Sequence, residues 1–124
     1  MPATILVVDD DPVILELLTV NFEMEGFAVL TAADGEEGVR RTRDERPDVV
    51  ISDVMMPRMS GLQLVNELKA DPDTADIPVL LLTARAQHTD VTGGLDAGAD
   101  DYVTKPFEPL DLVDRVNRLL GSRR

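Results

Sequence analysis

Five side chains have the types and the placing to handle charge together: Asp9, Asp10, Asp53, Thr83 and Lys105. Each follows a short apolar run: Ile5-Leu6-Val7-Val8 before the acidic pair, Val49-Val50-Ile51-Ser52 before Asp53, Val79-Leu80-Leu81-Leu82 before Thr83, and Tyr102-Val103-Thr104 before Lys105. Three carboxylates drawn together would repel by about 4 kcal/mol per pair at ~4 Å and an effective dielectric of ~20 unless a counterion offsets the charge. Oxygen-only ligands without a nearby His or Cys favour Mg²⁺ or Mn²⁺ over zinc. An Asp carboxylate can also attack a phosphoryl group, while a metal, an ammonium and a hydroxyl stabilise charge on the phosphoryl oxygens.

The apolar runs, with Phe27-Ala28-Val29-Leu30, predict five strands, the fifth the weakest; their continuous hydrophobicity predicts burial on both faces. Between them, helical spacing is expected at about residues 12–24, 35–45, 61–70, 88–97 and 109–120, with Val13, Leu17, Val20 and Met24 as one apolar stripe and Leu62, Val65 and Leu68 as another. Asp11 before Pro12 predicts an N-cap; Gly26 and Gly98 are expected after helix ends, and Pro47 and Pro78 before strands. Alternation of strand and helix predicts a single doubly wound α/β domain of five βα units, flavodoxin-like, with a parallel sheet in the order 2-1-3-4-5. Ligands in such sheets bind beyond the carboxyl ends of the strands, near the switch point between the first and third. Asp9, Asp10, Asp53, Thr83 and Lys105 all fall there. Neighbouring strands lie ~4.8 Å apart, so the long Lys105 stem can cover the two-strand gap to Asp53.

Composition narrows the possibilities. The 124 residues, 44% hydrophobic, suit one domain with its own core. No Cys is present, so neither disulfides nor thiolate metal sites contribute. With 12 basic residues against 24 acidic ones, the net charge of -12 argues against direct nucleic-acid binding by this domain. No apolar run is long enough to cross a bilayer and no secretory signal opens the chain; cytoplasmic placement without membrane association is the expectation. His88, the one histidine, is expected in solvent, and Met55, Met56 and Met59 as loop packing. Gly93-Gly94 within the fourth helical stretch would cost about 2 kcal/mol relative to Ala, which predicts a weakened, mobile helix.

The motifs Val-Val-Asp9-Asp10-Asp11, Ser-Asp53-Val-Met-Met-Pro57, Leu-Leu-Leu-Thr83-Ala-Arg85 and Gly98-Ala-Asp-Asp-Tyr102-Val-Thr-Lys105-Pro106-Phe107, in this order, resemble those of response-regulator receiver domains over essentially the whole chain. That resemblance implies a receiver over residues 1–120, with 121–124 a tail or the start of a linker. It implies that Asp53 accepts a phosphoryl group from a sensor histidine kinase or histidine phosphotransfer protein, and that Asp9, Asp10, Asp53 and the Met55 carbonyl hold Mg²⁺. Thr83 and Lys105 would contact the phosphate, Thr83 and Tyr102 would form a switch pair, and the Lys105–Pro106 bond would be cis. The fourth helix, fifth strand and fifth helix would form an output surface for a downstream protein or output domain, and phosphorylation could drive homodimer formation. Such a domain is a switch that assists its own phosphorylation and dephosphorylation, not a turnover enzyme. In the family the residues two after the phosphoacceptor and two after the switch Thr, here Met55 and Arg85, influence hydrolysis; Met55 cannot orient water, which predicts a persistent phosphoryl group.

Two other functions use the same residues. Asp9-x-Asp11-x-Val13 after a strand imitates the nucleophile motif of haloacid-dehalogenase-like phosphatases, which would make Asp9 the nucleophile and leave Asp53 without a role. A receiver-fold binding module that never accepts phosphate is the third; the intact acidic cluster weighs against it.

Overall fold

The computed structural model describes residues 3–84 and 98–121. Five strands run in chain order, β1 (Thr4–Val8), β2 (Ala28–Ala32), β3 (Val49–Asp53), β4 (Val79–Ala84) and β5 (Asp101–Lys105). They form one parallel sheet ordered β2-β1-β3-β4-β5, as the alternation predicts. Among the described residues the helices are α1 (Pro12–Met24), α2 (Gly35–Glu45), α3 (Gly61–Ala70) and α4 (Pro109–Gly121). The helix expected over 88–97, with His88, Gly93 and Gly94, and also Arg85, lies outside the described residues.

Period-two alternation divides the core. Ile5, Val7, Val49, Ile51, Leu80, Leu82 and Val103 pack with Leu18 and Phe22 of α1 and with Leu112, Val113 and Val116 of α4. Leu6, Val8, Val50, Val79 and Leu81 point the other way, onto Val39 of α2 and Leu64, Val65 and Leu68 of α3. Both faces of the sheet are covered, which is why its strands read as unbroken apolar runs. Val65 and Leu68 are buried as their spacing predicts.

The stripe expected to bury α1 is the wrong one. Val13, Leu17, Val20 and Met24 are exposed, Val13 by 68% and Met24 by 78%. The helix instead packs Ile14, Leu15, Leu18 and Phe22 inward. Both stripes have helical spacing; Phe22, the bulkiest side chain on the helix, lies in the inner one, and the gain from burying it favours that orientation. Pro12 opens α1 and Asp11 caps it, accepting from the Val13 amide at 2.9 Å.

Candidate functional site

The site is built at the carboxyl rim of the sheet by the same alternation that sorts the core. Asp9 follows the Ile5–Val7 row, Asp53 ends the Val49–Ile51 row, and Lys105 lies two residues past Val103, so all three continue rows of the α1/α4 face. Thr83 has the other parity, one residue past Leu82, the register partner of Asp53, and is fully buried. Lys105 is level with Ala84 on β4. Its side chain reaches back across β4 and brings Nζ to 3.3 Å from Asp53 Oδ1 and 3.9 Å from Asp9 Oδ2. Asp9, Asp10 and Asp53 each place a carboxylate oxygen within 4.8 Å of the others.

The three acids differ in environment. Asp9 is 1% exposed and Asp53 8%, whereas Asp10 is open to solvent. The backbone of Asp9 is tied to β2 by its amide, which donates to the Ala32 carbonyl at 3.1 Å, and its Oδ1 accepts from the Asp11 amide at 2.9 Å. Oδ2 is buried and accepts no hydrogen bond among the described residues. Burial pushes the Asp9 carboxyl up to about 6; the Asp11 amide opposes this and the Asp53 charge adds to it. Burial also raises the Asp53 carboxyl above its ordinary value, with the Lys105 ammonium pulling the other way. Among the described residues, one ammonium stands among three carboxylates, which leaves net negative charge at a partly dry rim. A hard divalent cation fits that donor set, and Asp9 Oδ2 is the oxygen in want of it.

The loop after Asp53 is fixed at both ends. The Val54 amide donates to Leu82 and the Gly61 amide to the Val54 carbonyl, each at 2.9 Å. A Cβ on Gly61 would fall 2.4 Å from the Asp53 carbonyl oxygen, so this close approach requires glycine. Ser60 and Gln63 form a reciprocal capping box at the start of α3. Neither feature is foreseen among the expected site residues, although Ser60-Gly-Leu-Gln63 carries the capping pattern in sequence. Met55 is 59% exposed in this loop. The Lys105–Pro106 bond is cis, as expected. Tyr102 sits on β5 level with Leu81, its ring partly exposed.

An open parallel sheet with an acidic rim at its switch point and a lysine reaching in from the fifth strand defines a class, and comparison places the chain within it. Residues 5–117 match the family model of the response regulator receiver domain. The chain belongs to that family. It is 45% identical over 116 residues to the DNA-binding dual master transcriptional regulator RpaA of Synechocystis, covering 94% of this chain and 48% of RpaA. It is 44% identical over 120 residues to the DNA-binding response regulator MtrA of Mycolicibacterium smegmatis, covering 97% and 51%. The chain thus spans about half the length of the curated relatives it matches. Among solved structures, the receiver domain of the sensor histidine kinase PA1611 from Pseudomonas aeruginosa superposes with a TM-score of 0.90 at 30% identity, covering 98% of this chain and 99% of that one; it carries a magnesium ion in its active-site cleft.

Proposed function

We propose that this domain is a phosphorylation switch in which Asp53 accepts a phosphoryl group from the phosphohistidine of a sensor kinase or histidine phosphotransfer protein. The observation that carries the reading is the convergence of Asp9, Asp10, Asp53 and Lys105 at one rim, with a buried Asp9 oxygen that has no hydrogen bond among the described residues. Asp9, Asp10, Asp53 and the Met55 carbonyl would hold Mg²⁺, with Mn²⁺ as a substitute. Bound there, the ion supplies charge neutralisation for the approach of an anionic phosphoryl group to a carboxylate.

The chain's own residues do the rest. An Asp53 carboxylate oxygen attacks phosphorus, the P–N bond to the donor imidazole breaks, and that nitrogen leaves with the bonding pair and takes a proton, leaving an acyl phosphate on Asp53. Lys105, already at 3.3 Å from Asp53, follows the charge onto the phosphoryl oxygens. Thr83 offers its hydroxyl from β4, and its movement together with Tyr102 would couple the phosphoryl group to β5 and α4. Such a device works only by binding one of two conformations better than the other.

We assign residues 1–120 to the receiver unit and 121–124 to a tail or linker. A cytoplasmic setting fits; no helix among the described residues is long and apolar enough to cross a membrane. The surface around β5 and α4 would meet a downstream protein, an output domain or a second copy of the domain. With a charge of -12, the domain itself is not expected to touch nucleic acid.

Incubation with acetyl phosphate and Mg²⁺ followed by intact mass measurement tests the reading. One phosphoryl addition is expected in the wild type, and none in Asp53→Asn or under a chelator. No adduct on the wild type would favour a phosphate-independent binding module; phosphate release surviving Asp53→Asn would favour a phosphatase using Asp9.

A further inference from the structure

Arg58 sits on the loop between β3 and α3, five residues after Asp53, and its backbone is left-handed at φ 67°. Side chains with a Cβ disfavour that region, so a non-glycine residue persists there only when its surroundings hold it. Two contacts hold it here: the Met59 amide donates to the Pro57 carbonyl at 2.8 Å, closing a tight turn around Arg58, and Asp34 Oδ2 accepts from Arg58 Nη2 at 3.1 Å. Asp34 is also the N-cap of α2, with Oδ1 accepting from the Glu37 amide at 2.8 Å. Its two oxygens are thus divided between starting a helix and gripping the loop. Beside them Met59 lies against Gly35, where an added Cβ would come within 2.8 Å of the Met59 Cβ and carbonyl oxygen. The loop therefore leans on the start of α2 at two adjacent points.

We propose that Asp34 and Arg58 are a positioning pair that locks the loop following Asp53, and with it the Met55 carbonyl, in the shape the cation requires; this rests on the phosphoacceptor reading above. The loop ends are tied by backbone hydrogen bonds at Val54 and Gly61, and the stretch between them contains Met55 and Arg58. An exposed ion pair contributes little to folding stability, so removing this one should be felt in the loop's shape more than in the fold. Partners that orient metal-binding groups from outside the ligand shell typically alter metal affinity when lost.

Asp34→Asn separates the two duties, because asparagine caps a helix about as well as aspartate but carries no charge for Arg58. Arg58→Ala removes the pair from the other side, and the double variant tests whether the residues act as one. Magnesium affinity is measured by calorimetry, the unfolding midpoint under a chelator, and the rate of adduct formation with acetyl phosphate by mass. Each single variant is expected to bind Mg²⁺ about two- to fivefold more weakly, the range an exposed pair can transmit. The double variant should be no weaker than the worse single one, the chelated midpoints should stay close to wild type, and Arg58→Lys should recover part of the affinity. Wild-type affinity in both single variants, or losses that follow a fall in chelated midpoint, would overturn the pair's role. A wild-type protein that bound no Mg²⁺ and took no phosphoryl group would overturn the phosphoacceptor reading, and this one with it.

Discussion

The two rims of the sheet treat their acids in opposite ways. At the amino rim, Asp48 accepts from the Thr4 amide at 2.7 Å, and Asp100 accepts both the Val79 amide at 2.8 Å and Lys69 Nζ at 3.1 Å. Lys69 also donates to the carbonyls of Ala75 and Ile77, so that ammonium closes the end of α3 onto the start of β4. At the carboxyl rim, three carboxylates place oxygens within 4.8 Å of one another, Lys105 pairs with two of them, and one buried oxygen lacks a hydrogen bond among the described residues. The acids of the first rim are hydrogen-bonded within the chain and serve the fold. Charge at the second is left in excess, which costs stability and is what the proposed cation and phosphoryl chemistry would draw on.

The contrast breaks most sharply at Asp9. Asp9→Asn should lower Mg²⁺ affinity by more than about tenfold while leaving the chelated protein at least as stable as wild type at pH 7, because it removes a buried charge. Calorimetry and thermal unfolding check the two halves; a large loss of stability under chelator would mean that Asp9 serves the fold as Asp100 does. Asp100→Ala should do the reverse, destabilising by about 1–3 kcal/mol through an unsatisfied Val79 amide and an unpaired Lys69, with Mg²⁺ affinity unchanged. Denaturant titration with and without the ion measures both.

A smaller effect follows from acidity. The Asp9 carboxyl, raised to about 6 in the folded chain, holds its proton more tightly there than in the unfolded one, where the ordinary value is 3.8. The folded state therefore binds more protons between those values, and under chelator the contribution of Asp9 to stability falls as pH rises from about 4 through about 6. Added Mg²⁺ needs the ionised form, so the rise it causes in the unfolding midpoint should be greater at pH 7.5 than at pH 5. An equal rise at both would remove Asp9 from the ligand set. The smallest expected change is in lifetime: Met55→Asn, which introduces an amide able to orient water, should speed loss of the phosphoryl group, followed by mass after removal of the donor.

Much of this was legible in the sequence because a strand buried on both faces must be an unbroken apolar run, and its polar terminator then marks the rim. Asp9, Asp53, Thr83 and Lys105 all mark the rim in that way, and the crossover order brings Asp9, Asp53 and Lys105 together. The face of α1 was not legible, since Val13, Leu17, Val20 and Met24 have the same spacing as the buried residues around Leu18 and Phe22; packing decides between them. Nor was the difference between Asp9 and Asp10, adjacent and chemically identical, of which one is buried and the other is in water. The Asp34–Arg58 pair spans 24 residues of sequence and depends on the angle at which a loop meets a helix, which no local pattern records.

The most direct test of the central claim is to locate the phosphoryl group. After incubation with acetyl phosphate and Mg²⁺, borohydride reduces an aspartyl phosphate to homoserine, and peptide mass mapping identifies the residue converted. Homoserine at position 53 is the predicted result; conversion at Asp9 or Asp10, or none in a protein that has bound Mg²⁺, would contradict it.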